Sequence, residues 1–253
     1  MRSYWKQIWP PLVAVILFVA GWQVAVSAFH IESWILPSPG EIGSEFSGNA
    51  SGLWEHTAAT LRLTLIGFPI GTGVGFIVAL LLHLLPWLKR ALYPLLILSQ
   101  NVPSIALGPL LIIWFGFGLL PKIVLITLVC FFPVAVAAMG GLAQSDRVMM
   151  NYMKMAGASK WQIFAKLELP GSLPSLFSGL KISATYAVMG SVVAEWIGAD
   201  KGIGYYMLLQ KSAYRTDRMF VAIVIIVLLS LLLFALIALL EKWLVRWKPR
   251  GHS

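Results

Sequence analysis

Long apolar runs and short polar segments alternate along almost the whole chain, and this pattern predicts helices that cross a membrane. A spanning helix needs about 20 predominantly apolar residues. Six runs approach or exceed that length, and they lie at about residues 11–29, 57–85, 91–115, 123–141, 176–197 and 217–240. The sequence therefore predicts an all-α polytopic membrane protein with six transmembrane helices.

The first apolar run has a second interpretation as a cleaved signal peptide, because residues 25–27 end it with small side chains. The run is long for the apolar part of a signal peptide, and five further spans follow it, so we favour a retained span. The preceding segment, 1–10, carries Arg2 and Lys6. Positive charges mark cytoplasmic segments, so we place the N-terminus in the cytoplasm.

Composition and charge support a membrane protein. The chain is 59% hydrophobic and 11% charged, whereas soluble domains carry roughly 25% charged residues. A soluble fold of this composition would lack the polar residues needed to cover its surface. The net charge of +9 is spread over short loops and not gathered in one stripe. It therefore indicates membrane topology and argues against a nucleic-acid surface.

The segments between the spans take their positions from the same pattern. Residues 30–56 are turn-rich and acidic, and we predict an external segment with a short surface helix after Pro39. Residues 57–245 form a five-helix core that contains one long cytoplasmic loop, 146–174. The basic tail, 246–253, is predicted to be cytoplasmic like the N-terminus.

The residues needed for catalysis or metal binding do not occur in recognisable patterns. Cys130 stands alone in an apolar run, and the four histidines are scattered without ligand spacing. No phosphate-binding G-x-x-x-x-G-K-[ST] motif, nucleophile elbow or zinc motif is found in the sequence. We therefore predict no catalytic residue, no metal and no cofactor bound by this chain.

Two features inside the predicted spans need an explanation. Gly67, Gly71 and Gly75 recur every four residues and predict a face where another helix packs closely. The third span is interrupted by polar residues around Pro103, which removes a backbone donor and kinks a helix. Its amides, Gln100 and Asn101, either bond to neighbouring helices or face a translocation path, and the sequence leaves both open.

The fifth span carries further polar side chains that are candidates for the same path. They are Ser183, Tyr186, Ser191 and, near the external mouth, Glu195. A carboxylate in this position has an alternative role as a structural partner of a base. For Glu195 the sequence offers Lys201 or Arg215 as that partner.

The segment 146–174 is the long basic segment of this otherwise apolar chain. It carries Arg147, Lys154, Lys160 and Lys166 among apolar residues at helical spacing. Residues 157–159, Gly-Ala-Ser, predict a break between two short helices, with the serine as the cap of the second. Such amphipathic helices either insert into a groove on a partner or lie on anionic lipid.

A family resemblance favours the first of these. Gly157, nine residues and then Leu-Glu-Leu-Pro at 167–170 resemble the conserved cytoplasmic loop of importer-type ABC transporter permeases. The sequence departs from that pattern at 151–153, where Asn-Tyr-Met stands in place of Glu-Ala-Ala. The segments 36–39, 101–103, 109–110, 114–118, 194–198 and 202–205 resemble the nitrate, sulfonate and taurine branch, which includes carriers of aminopyrimidine precursors of thiamine.

The resemblance implies a type I ABC importer-like fold in the bacterial inner membrane. It implies a permease homodimer above two cytoplasmic ATPase chains, which would bind ATP and Mg²⁺, and an external binding protein that delivers the solute. ATP-driven rocking of the two permease chains would give alternating access. The residues implied to contact the ATPase are Tyr152, Met153, Ala156, Gly157, Ala158, Trp161, Phe164, Leu169 and Pro170.

Two other classes remain open from the residues alone. An ion-coupled secondary transporter needs no ATPase, but such folds often show inverted repeats and intramembrane acids, and neither is evident in this sequence. A membrane scaffold or intramembrane enzyme is the other class, and the spans show no catalytic constellation.

Overall fold

The computed structural model describes residues 2–245, with side chains described for 9–245. The predicted tail, 246–253, and the side chains of Arg2 and Lys6 lie outside the described residues. The helices are α1 (Arg2–Ala28), α2 (Pro39–Gly48), α3 (Ala50–Leu84), α4 (Pro86–Ser99), α5 (Ser104–Phe115), α6 (Leu119–Ala143), α7 (Arg147–Met155), α8 (Lys160–Ile163), α9 (Leu169–Trp196), α10 (Ile203–Ser212) and α11 (Thr216–Leu244). A π-helical segment, Phe164–Glu168, joins α8 to α9.

Five helical segments are each long and apolar enough to cross a membrane. They are the α1 segment Trp9–Ala28, then α3, α6, the continuous α8–α9 segment Lys160–Trp196, and α11. The predicted all-α membrane fold is confirmed. The third predicted span, 91–115, corresponds to the pair α4 and α5.

The pair α4–α5 differs from the single kinked helix that we predicted. The chain bends by 104° between the two helices, across residues 100–103. Pro103 has no N–H for a helical hydrogen bond, and Asn101 and Val102 only close turns onto the carbonyl groups of Leu98 and Ser99. At 1.5 Å per residue each helix is about 20 Å long, shorter than the ~30 Å hydrocarbon core. Neither helix spans the bilayer alone.

The direction of the packed helices shows that the pair still carries the chain across. Gly71 lies against Cys130 and Gly75 against Phe131, so α3 and α6 run parallel. Two consecutive parallel spans require a crossing between them, and α4–α5 is the segment that connects them. By contrast, Gly141, near the end of α6, lies against Ser172, near the start of α9 and far from Glu195 at its end. α9 therefore runs antiparallel to α6.

The glycine face of α3 is a packing seam, as predicted. A Cβ at Gly71 would come within 2.7 Å of Cys130 Cβ and 3.0 Å of Thr127 Cα. A Cβ at Gly73, on the same helix, would meet nothing within 4 Å. The seam lets the α3 and α6 backbones approach closely, which supplies van der Waals packing in place of a hydrophobic driving force.

We expect Gly71→Ala to destabilise the protein and Gly73→Ala to stabilise it slightly. Overpacking a close helix contact costs about 1–3 kcal/mol, whereas alanine at the open position only removes backbone freedom from the unfolded chain. Thermal unfolding of both variants in the same detergent checks this. Equal melting temperatures for the two variants would show that the seam is not a tight contact.

Candidate functional site

The loop between α6 and α9 presents a row of apolar side chains to its surroundings. Asp146 begins α7 by accepting hydrogen bonds from the N–H groups of Val148, at 2.8 Å, and Met149, at 3.2 Å. Val148, Tyr152 and Met155 then follow at helical spacing and are 79%, 64% and 82% exposed. These three residues are named here the α7 apolar face.

The turn after α7 fixes the angle between the two short helices. Gly157 has φ +78° and donates its N–H to Lys154 O, while Ala158 donates to Met153 O. This is a Schellman motif, in which glycine adopts the left-handed conformation at low cost. Ser159 then caps α8 by accepting from Gln162 N, and the Gln162 side chain accepts from Ser159 N. The predicted break and the predicted serine cap are both confirmed.

The second half of the loop anchors it to the bundle. Trp161 is 68% exposed, whereas Ile163 and Phe164 are buried. The Trp161 and Phe164 rings lie 5.4 Å apart, and the π-helical segment ends at Glu168, whose Oε2 lies 3.0 Å from His83 Nε2. The loop is therefore attached to the inner end of α3 as well as to α9.

The structure divides the predicted ATPase-contact residues into three groups by exposure. Tyr152, Ala156, Gly157 and Trp161 are exposed; Met153, Ala158, Leu169 and Pro170 are half-buried; and Phe164 is buried. Prediction from the sequence missed Val148, Met149 and Met155, which are exposed beside Tyr152. Val148 lies four residues before Tyr152 and Met155 three residues after it, and this helical spacing was the available signal.

The predicted path residues are also divided. Ser191 Oγ lies 2.8 Å from Thr64 Oγ1, and Ser183 donates to Cys130 O at 3.0 Å. Both serines are fully buried in these contacts between helices. Gln100, Asn101 and Tyr186 are exposed, and Tyr186 shares one open face of α9 with other exposed apolar residues, Ile182 and Met189.

Glu195 caps the start of α10. It is 2% exposed and accepts a hydrogen bond from Gly204 N at 2.7 Å. The two preceding amides are bound in the same way: Ile203 N donates to Thr60 Oγ1 and Gly202 N to His56 Nδ1. Three consecutive N–H groups are thereby satisfied by α3 and α9. Glu195 thus fixes α10 at the end of the bundle opposite the α7–α8 loop.

The bases that we predicted as partners of Glu195 pair with other acids. Lys201 bonds Glu55 at 2.6 Å, which raises the pKa of Lys201 above its usual value. Arg215 bonds Asp217 at 2.7 Å, and this bond is the main cause that raises the pKa of Arg215 above its usual value. Arg215 also contacts Glu45. The alternative pairing of Glu195 with Lys201 or Arg215 is therefore not formed. Lys201 and Arg215 are close to Glu195 in sequence, but in the fold Glu195 is bound by the backbone amide of Gly204.

These ion pairs also offset part of the positive charge in the segment that the sequence predicts to be external. Arg218 shares Glu45 with Arg215, so three of the bases in the outer segment have acidic partners. Within the described residues, 2–245, no group of three or more His, Cys, Asp or Glu side chains is arranged to hold a metal ion. The acids therefore offset part of the positive charge in this region.

Comparison with known families gives one match that covers most of the chain. Residues 71–246 match the family described as the binding-protein-dependent transport system inner membrane component. The matched region begins in the glycine seam of α3 and includes α4–α5, the α7–α8 loop and all of α9 and α11.

Individual proteins show the same relationship. The putative aliphatic sulfonates transport permease protein SsuC of Escherichia coli is 36% identical over 92% of this chain and 90% of that protein. The formylaminopyrimidine transport permease protein ThiX of Halalkalibacterium halodurans is 33% identical over 99% of this chain and 100% of that protein. An inward-facing structure of the MetNI methionine ABC transporter superposes with a TM-score of 0.66 at 22% identity, covering 77% of this chain and 95% of that one.

Proposed function

This chain belongs to the inner membrane components of binding-protein-dependent transport systems, and we propose that two copies of it form a solute pathway driven by a cytoplasmic ATPase. It is a permease subunit of an ABC transporter, as its relatives are. It contains no phosphate-binding loop, so ATP hydrolysis resides in a separate subunit. An external binding protein delivers the solute.

The observation that carries this proposal is the α7 apolar face. Val148, Tyr152 and Met155 are more than half exposed on a helix whose other exposed positions are Met149 and the polar or basic residues Arg147, Asn151 and Lys154. Apolar and aromatic side chains on one face of a short helix suit a groove on a protein partner. The basic side chains beside them add charge complementarity to an acidic rim on that partner.

The loop side of the membrane is then the cytoplasm. α3, α6 and α11 all end on that side, since α3 is parallel to α6 and the end of α11 contacts α9 through Lys181 and Glu241. Trp22, near the end of α1, packs against Phe220 at the outer start of α11. These contacts support a cytoplasmic location for both ends of the described chain, 2–245, and the basic residues of the N-terminal segment and the tail agree with it.

The open face of α9 supplies the pathway. α9 packs on α3, α6 and α11, so the face with Ile182, Tyr186 and Met189 is left uncovered in a single chain. In a two-fold dimer the two copies of this face enclose the path. Tyr186, together with Gln100 and Asn101 at the α4–α5 break, then offers hydroxyl and amide groups to a polar solute.

A small heterocyclic solute of the aminopyrimidine type fits the outer surface better than an anion. Lys201, Arg215 and Arg218 are each paired with an acid, so they do not concentrate anions at the mouth. ThiX, a permease for formylaminopyrimidine, matches the full length of this chain. A sulfonate is the second candidate, because SsuC, a putative permease for aliphatic sulfonates, has similar identity.

Uptake into proteoliposomes tests this function. The vesicles contain this chain, its ATPase and its binding protein, and receive a labelled aminopyrimidine or a labelled alkyl sulfonate. We expect ATP-dependent accumulation of the aminopyrimidine. Accumulation of only the sulfonate would refute the solute assignment, and no accumulation of either with ATP would refute the function.

A further inference from the structure

The contact between His83 and Glu168 links the loop between α6 and α9, named here the docking loop, to α3, which lies far from it in sequence. His83 is in the last turn of α3, and Glu168 is the last residue of the π-helical segment. His83 Nε2 lies 3.0 Å from Glu168 Oε2, and both side chains are mostly shielded from solvent. A carboxylate only accepts, so the imidazole nitrogen donates.

A row of aromatic rings extends this contact to the loop surface. The His83 ring lies 6.3 Å from the Phe164 ring, which lies 5.4 Å from the exposed Trp161 ring. Phe164 is 6% exposed, so the middle ring of the row is fixed by packing. Side chains therefore form a continuous connection from the proposed docking surface to the inner end of α3.

The backbone between the short helices α7 and α8 and the span α9 is the part of this region most prone to bending. Phe164–Glu168 is π-helical, and such a turn interrupts the regular α-helical hydrogen bonds and is a frequent site of bending. Along the chain, force applied to α7 and α8 reaches α9 through this segment. If the segment bent freely, movement of the loop would be absorbed there and would not reach the spans.

We propose that His83 and Glu168 are positioning residues that brace the π-helical segment, so that movement of the docking loop is transmitted to α3 and α9 together. The inference rests on the proposed function, because it assumes that an ATPase moves this loop. With the brace, α3, α6 and α9 move as one body, since α6 packs closely on the other two helices. Without it, the ATPase still binds the α7 apolar face but drives transport inefficiently.

The test measures solute imported per ATP hydrolysed in proteoliposomes of the full complex. His83→Leu and Glu168→Leu keep approximate side-chain volume but cannot form the contact, whereas His83→Gln keeps a donor. We expect each leucine variant to retain the bound ATPase and to lower the ratio about fivefold, the double variant to lower it no further, and His83→Gln to recover most of it. His30→Gln, in the exposed turn that follows α1, is the matched control and should equal wild type.

The outcomes separate the inference from the proposed function. If wild type shows no ATP-driven import, the proposed function fails. If wild type couples and His83→Leu has the same ratio, the brace alone is wrong. A double variant whose loss equals the product of the two single losses would show that the two residues act independently, which also overturns the proposal. Thermal unfolding of His83→Leu and His83→Gln should agree, because a difference confined to stability would indicate a purely structural role.

Discussion

Replacing Tyr152 by glutamate should remove the cytoplasmic ATPase from the purified transporter while leaving the permease folded. Tyr152 is in the middle of the α7 apolar face and 64% exposed. A charge placed in an apolar groove loses its hydration without gaining a partner. Tyrosines at the centre of an interface commonly contribute 2 kcal/mol or more, so we expect affinity to fall about 30-fold or further. Co-purification and a titration of ATPase against the detergent-solubilised permease measure the effect.

Asn151→Glu is the matched control for this experiment. It adds the same charge to the neighbouring exposed position, on the polar face of α7 with Arg147 and Lys154. It also places glutamate at the position where the permease family that this chain resembles has glutamate. ATPase binding should therefore be retained. If both variants lose the ATPase equally, net charge and not the apolar face governs binding. If Tyr152→Glu keeps the ATPase but loses affinity for anionic vesicles, the helix lies on lipid and the docking proposal is wrong.

Glu241→Ala should be the most destabilising single change among the ion pairs that join spans. Lys181 Nζ and Glu241 Oε2 are 2.8 Å apart between α9 and α11, and both side chains are largely shielded. Removing one partner of such a pair leaves an uncompensated charge, which costs about 3 kcal/mol. We expect a lower melting temperature in detergent and poor insertion into liposomes.

The double variant Lys181→Met with Glu241→Ala distinguishes charge from packing. Once the lysine is also removed, the charge of Lys181 is no longer left without Glu241, so much of the lost stability should return. Glu55→Ala is the control, because its bond to Lys201 is solvent-exposed and exposed pairs contribute about 0–1 kcal/mol. A double variant as unstable as Glu241→Ala would mean that the shape of these side chains matters more than their charge.

Features governed by local rules were predictable from the sequence. The long apolar runs predicted the spans, because a bilayer requires about 20 apolar residues per helix. Gly157 and Ser159 predicted the break in the loop, since glycine suits a left-handed turn and serine caps a helix. The glycine spacing in α3 predicted a seam because residues four apart share a helix face.

Features set by distant contacts were not predictable in the same way. Glu195 is bound by the amide of Gly204, and no local pattern shows that α10 folds back onto α9. The polar character of Ser183 and Ser191 suggested a path, yet both hydroxyls bond between helices. Pro103 indicated where the third span is interrupted, but the 104° angle depends on how α4 and α5 pack on their neighbours.

The measurement that tests the central claim most directly is the energy source for solute uptake. Proteoliposomes with permease, ATPase and binding protein are supplied with ATP at the face that carries the α7–α8 loop, or with a proton or sodium gradient and no ATP. Our account predicts that uptake requires ATP and binding protein, is abolished by Tyr152→Glu and does not respond to the gradient. Uptake driven by an ion gradient in vesicles that contain the permease alone would contradict it and identify a secondary transporter.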